Sequence, residues 1–285
     1  MNSTKPTTVE DTDIHKIVRN AYAQRVTGDT KGCSASPSCC TTVPSANITR
    51  AAEKMGYTKE DVQQAPDESN LGLGCGAPLK PAQVKRGDTV LDLGSGAGFD
   101  AFLAVHEVGP EGKVIGVDMT LEMVDKAKAN AAKSDYSNVD FRLGKIEALP
   151  IESNSIDVVI SNCVVNLSPD KPAVFREAHR VLKPGGRIAV SDICLTQPLP
   201  KSVQMNLAAY VGCIAGASVL EDYVGTMLKA GFVGVDITTR HAFDVLACDD
   251  PLVLAVVEGL DEEDDIDLEN LKNTIVSATV VAYKT

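Results

Sequence analysis

The stretch "VLDLGSGAGFD", Val90–Asp100, decides how the rest of the chain is read. Its first half is a short apolar run around one acid, the pattern of a strand buried on both faces. Its second half places glycines at 94, 96 and 98, where a bare backbone lets a ligand approach closely. The helical segment "FDAFLAVHEVG" follows at once and presents its free N–H groups to the same turn. Glycines at every second position after Asp92 differ from the G-x-G-x-x-G spacing of dinucleotide-binding proteins.

The pattern repeats outward. "KVIGVDM" is a second strand and "LEMVDKAKANAAKS" an alanine-rich helix. "VDFRLGKI", "IDVVISN" and "GRIAVSDI" are further strands, with helix "AVFREAHRVL" before the last. Buried strands alternating with amphipathic helices predict an α/β fold, a mostly parallel sheet covered on both faces. Candidate cofactor contacts gather at the strand ends: Asp92, Gly94, Ser95, Gly96 and Gly98 after the first, and Asp118 and Met119 after the second. Asp118 is placed to accept from ribose hydroxyls. Ile146 and Glu147 follow the third strand, Glu147 near an adenine amine, and Asn162 ends the fourth.

The remaining segments divide the chain into an N-terminal Cys-bearing segment, 1–80, a sheet domain, 81–240, and a C-terminal segment, 241–285. Within the first, "IHKIVRNAYAQRV" places Ile14, Val18 and Tyr22 at helical spacing, and a Gly/Ser/Thr/Pro-rich loop follows. Residues 194–220 read as an inserted helical cap. The tail carries the acidic run "EGLDEEDDIDLEN" and ends in the alternating strand "TIVSATVVAYK". "NLSPD" predicts a helix cap at Ser168 or Asp170.

The formal net charge of −12 excludes a nucleic-acid partner and disfavours an anionic membrane surface. No apolar run reaches the roughly 20 residues of a membrane helix, and the N-terminus lacks a signal-peptide core. The expected location is the cytoplasm, where thiols stay reduced. Eight cysteines there point to metalloid binding or redox chemistry, with burial as small hydrophobes the plainer account of any single one. None of the four histidines has zinc-ligand spacing to a cysteine.

Three cysteines fall where the fold would bring them to one mouth: Cys75 in "GLGCGAP", Cys163 in "SNCVVNL" and Cys213 in "YVGCIAGA". A thiol is a poor base but a strong ligand for a soft centre. A trivalent metalloid bound by three sulfurs keeps a lone pair pointing outward, and attack by that lone pair needs positioning more than proton transfer.

Residues 80–240 resemble the class I methyltransferases that use S-adenosylmethionine, with a seven-stranded Rossmann-like sheet. From about Arg19 to Arg240 the chain is similar to the arsenite methyltransferases, through "SCC", "NLGLGCGAP", "VLDLGSGAGFDAF", "VIGVDMT", "SNCVVNLSPDKPAVFREAHRVLKPGGRIAVSDI" and "YVGCIAGA". The resemblance implies that Cys75, Cys163 and Cys213 bind As(III), free or thiol-conjugated, and that Cys39 or Cys40 exchanges with Cys75 as an oxidised pair. It also implies reduction by thioredoxin or glutathione. Leu121 stands where relatives usually have proline, and the acidic tail lies outside the pattern. The alternatives are a methyltransferase acting on a quinone, a sterol or another small organic substrate, and a metalloid-binding protein without turnover.

Overall fold

The computed structural model describes residues 13–27, 49, 52–134, 136–242 and 273–285. Cys33, Cys39, Cys40, Cys248 and the acidic run lie outside them.

In chain order the elements are α1 (Ile14–Thr27), α2 (Lys59–Gln64), α3 (Leu79–Ala82), β1 (Thr89–Leu93), α4 (Phe99–Val108), β2 (Lys113–Asp118), α5 (Leu121–Lys133), β3 (Val139–Leu143) and β4 (Ile156–Asn162). Then follow α6 (Lys171–Val181), β5 (Leu182–Leu195), α7 (Lys201–Gln204), α8 (Leu207–Val211), β6 (Ser218–Val219), α9 (Leu220–Lys229), β7 (Val233–Ala242) and β8 (Ile275–Tyr283).

The strands form one sheet in the order β3-β2-β1-β4-β5-β8-β7, with the two-residue β6 also paired to β5. β3 through β5 run parallel, whereas β8 is antiparallel to both β5 and β7. The alternating tail therefore closes the sheet from inside, between two strands that precede it in sequence.

β1 and β4 are neighbours, yet the chain leaves them toward opposite edges, which makes their carboxyl ends the topological switch point. Loops diverge there and leave a crevice. The central strands are buried because helices cover both faces: α6 contributes Val174, Phe175, Ala178 and Val181 to one side, and α4 contributes Ala101, Phe102 and Ala104 to the other. A third apolar cluster lies at the carboxyl edge, where Ile14 and Val18 of α1 meet Cys75, Cys163, Leu167 and Cys213. α6 starts at Asp170, whose side chain accepts from the Ala173 N–H at 2.9 Å, so of the two candidate caps the acid serves. Residues 194–220 contain the two short helices α7 and α8 rather than one long cap helix.

Candidate functional site

A cleft of about 690 Å³, open solvent included, lies at the switch point. Gly94, Gly96, Asp118, Met119, Ile146, Glu147, Asn162 and Cys163 all line it. One end is polar. The Gly96 N–H donates to Asp118 Oδ2 at 2.9 Å, and the Thr120 N–H to its Oδ1 at 2.8 Å. Gly96 has φ +51°, and a Cβ there would project into the cleft, with Met123 Sδ at 3.9 Å as its nearest neighbour. Asp92 lies beneath the turn, 2% exposed, and its Oδ2 and Ser95 Oγ lack a hydrogen-bond partner. Burial, with Asp100 and Asp118 nearby, pushes the Asp92 carboxyl well above the usual range.

Glu147 is already engaged: Ser168 Oγ donates to its Oε1, and His15 Nε2 lies 2.9 Å from the same oxygen. Helix α1 thus reaches across the cleft, and Val18 and Tyr22 line it one and two turns further on. His15 is part of this wall.

The other end is built from thiols. Cys163 follows β4 directly, and its N–H donates to Ser191 O at 2.8 Å. Its sulfur lies within 4.8 Å of that of Cys75, and its thiol interacts with those of both Cys75 and Cys213. Cys213 Sγ donates to Cys163 O at 3.1 Å, and Cys75 Sγ to Ser191 O at 3.5 Å. All three are buried and unoxidised, as is Cys194 behind them. Cys163 and Cys213 occupy left-handed backbone, φ +58° and +64°. For a residue with a Cβ this costs roughly 1–2 kcal/mol each, and such strain gathers where function fixes a side chain's direction.

Among the described residues no cation lowers these thiols enough to ionise them. Burial raises Cys75 to about 11. For Cys163 the hydrogen bond with Cys213 pulls down, the one with Cys75 and burial push up, and the result stands well above the ordinary thiol value. Cys213 is raised by its hydrogen bond with Cys163 and by burial. The pocket therefore holds neutral thiols at physiological pH.

Sequence reading missed Asp192. One of its carboxylate oxygens and the sulfurs of Cys75 and Cys163 all lie within 4.8 Å of one another. Asn166 Nδ2 and Tyr223 Oη donate to it at 2.8 and 3.2 Å, and burial raises it to about 7 while Lys171 opposes the shift. Its signal was an acid in the apolar string "SDICL", which a strand-ending acid explains equally well.

A family described as a methyltransferase domain matches residues 84–232. The arsenite methyltransferase of Halobacterium salinarum is 47% identical over 84% of this chain, and that of Mus musculus is 36% identical over 82%. The chain spans 63% and 61% of those two proteins. An arsenic(III) S-adenosylmethionine methyltransferase structure from Chlamydomonas reinhardtii superposes with a TM-score of 0.61 at 33% identity, covering 84% of this chain and 73% of that one. The Rossmann-like sheet is accordingly a class I methyltransferase fold.

Proposed function

This chain belongs to the family of arsenic(III) S-adenosylmethionine methyltransferases, and from that membership we propose that it methylates trivalent arsenic held by Cys75, Cys163 and Cys213. The observation that carries the proposal is the gathering of three buried thiols beside the cleft: the Cys163 sulfur within 4.8 Å of that of Cys75, and Cys213 Sγ donating to Cys163 O at 3.1 Å.

The residues at the polar end fit S-adenosylmethionine. Asp118 would receive the ribose hydroxyls, Glu147 the adenine amine, and the glycine turn would lie along the nucleoside. When bound, the cofactor supplies a sulfonium methyl, to which the arsenic lone pair adds as the carbon–sulfur bond breaks and its electron pair returns to sulfur.

The chain's own part is to bind and aim the arsenic. Neutral thiols suit arsenous acid: each S–H and As–OH pair exchanges to As–S and water, with no base consumed. Three such exchanges leave a neutral pyramid whose lone pair is uncovered. The surrounding apolar cluster, with Leu167, Ile193 and Ile214, keeps water from the sulfurs. Asp192 accepts hydrogen bonds behind them and fixes Asn166 and Tyr223.

Methylation leaves arsenic pentavalent, and two thiols return two electrons by closing a disulfide. Cys39 or Cys40 is the proposed partner of Cys75 in that step, with thioredoxin or glutathione reopening the bond by exchange. Such a cycle places the protein in a reducing compartment, the cytoplasm. Among the described residues no helix is long and apolar enough to cross a membrane.

Single-turnover incubation with S-adenosylmethionine, arsenite and a thiol reductant tests the reading, with arsenic species resolved by chromatography and element detection. The expected result is methylated arsenic that requires both substrates. Tight arsenite binding without product would make this a sequestering protein. Neither binding nor product would point to an organic methyl acceptor.

A further inference from the structure

The geometry points to Asn162 as the positioning residue of the Cys75 thiol, held in turn by Tyr57 and Asp100. Asn162 ends β4 beside the cleft, where sequence reading makes it a cofactor contact. Its amide is committed elsewhere. Oδ1 accepts the Cys75 N–H at 3.0 Å. Nδ2 faces three acceptors: Gly76 O at 2.8 Å, Tyr57 Oη at 2.8 Å and Asp100 Oδ2 at 3.0 Å.

These partners fix which way the amide points. Turned over, its oxygen would face a carbonyl and a carboxylate, and its nitrogen would face the Cys75 N–H, so every contact but the one with the Tyr57 hydroxyl would become repulsive. Tyr57 donates to Asp100 Oδ1 at 2.7 Å, leaving its oxygen lone pair for Asn162. Burial raises the Asp100 carboxyl to about 6, against hydrogen bonds from Asn162 and Tyr57 that favour the charge. The network thus ties the first turn of α4, which follows the glycine loop, to the thiol loop.

The same geometry accounts for the glycine string around Cys75. A Cβ on Gly74 would meet Asn162 Nδ2 at 2.8 Å, and one on Gly76 would meet the Ser191 side chain at 2.7 Å. Bare backbone on both sides lets the loop press against Asn162. From the far side Ser277 Oγ donates to Cys75 O at 2.5 Å. With its N–H and carbonyl both bound, Cys75 has little freedom except at its side chain.

The assignment stands on contacts to Cys75 and rests on the arsenic reading only for its effect on turnover, so the test has one arm without arsenic. In arsenic-free protein, iodoacetamide labelling at Cys75 is followed by peptide mass spectrometry for the wild type and Asn162→Ala. The expected result is labelling faster by about tenfold, with the Kd for S-adenosylmethionine unchanged within about twofold. In the second arm, the near-ultraviolet sulfur-to-arsenic absorption is titrated with arsenite and steady-state rates are measured. The arsenite midpoint and KM rise by about tenfold, while kcat falls less.

A cofactor Kd raised with Cys75 labelling unchanged overturns the assignment and returns Asn162 to the nucleotide. So does a variant identical to the wild type in both readouts. Where both shift, Tyr57→Phe decides, because it removes one oxygen that lies outside the cleft. Selective loosening of Cys75 in Tyr57→Phe sustains the assignment; unchanged labelling there sinks it. A wild type lacking the arsenite absorption defeats the arsenic reading alone and leaves the labelling arm standing.

Discussion

The two ends of the cleft are made in opposite ways. The nucleotide end comes from two short neighbouring strand ends, at 92–98 and 118–120, and works through backbone N–H groups and carboxylates. The thiol end gathers Cys75, Cys163, Asp192 and Cys213 from four distant segments and works through thiols that burial keeps neutral. One end recognises by hydrogen bonds that many ligands can make. The other, on the proposed reading, would recognise by exchanging covalent bonds with a soft centre. Substitutions should therefore separate the ends, and their failure to do so is the way to break the comparison.

The largest separation is expected from Cys163→Ser. Cys163 is the thiol in reach of both others, so its loss removes the only described arrangement that joins all three. Methylated arsenic formation should fall on the order of 1,000-fold or more, as for residues that act as a unit. Cofactor affinity measured by calorimetry should stay near the wild-type value. Retained turnover would take Cys163 out of the arsenic site.

Asp118→Ala is the reverse experiment. Lost hydrogen bonds to a charged acceptor are worth about 1–3 kcal/mol, or roughly 5–150-fold in cofactor Kd. The arsenite titration should be unmoved, because Asp118 holds the Gly96 and Thr120 N–H groups and touches no thiol. Equal losses at both ends would show that the cleft fails as one body.

The contrast also explains what could be read from the sequence. Asp92, the glycines and Asp118 sit at strand ends that periodicity marks, so local pattern reaches them. The thiols were legible only because cysteine at three strand-end or cap positions is chemically odd in a cofactor mouth. Asp192 and His15 were not legible. A buried acid inside "SDICL" has the pattern of any strand end, and its proximity to sulfur exists only after β4 and β5 pair in register. His15 belongs to a helix whose apolar stripe predicts burial but not the partner; Glu147 is 132 residues away. The antiparallel insertion of β8 between β5 and β7 was likewise hidden, because alternation identifies a strand and says nothing of its neighbours.

His15→Ala probes the seam between the ends. The pair with Glu147 is partly exposed, with side chains 25% and 14% accessible, so its loss should cost little stability. Glu147 keeps Ser168 and becomes free for an adenine amine. Cofactor affinity should change by less than about fivefold. A larger weakening, measured by the same calorimetry, would make α1 part of the nucleotide site and blur the division between the ends.

Asp192→Asn carries the smallest expected effect and tests why the thiol end stays neutral. Burial raises this carboxyl from 3.8 to about 7, while Lys171, the Ile193 N–H, Tyr223 and Asn166 favour its charge. The folded protein thus binds the proton more tightly than the unfolded chain does. The stabilisation from this group is fully present below about pH 4 and is lost as pH rises through about 7. Asparagine keeps an acceptor for Asn166 and Ile193 and a donor for Tyr223 Oη, and it cannot ionise. Thermal unfolding in reductant should give similar wild-type and variant midpoints at pH 5. At pH 8 the variant should be the more stable by a few degrees, with the Lys171 attraction it forgoes limiting the gain. A difference that does not depend on pH would mean that Asp192 is charged throughout. The three thiols would then share their pocket with a permanent anion, and the neutral-thiol account of arsenite exchange would have to be replaced by one in which Asp192 takes part.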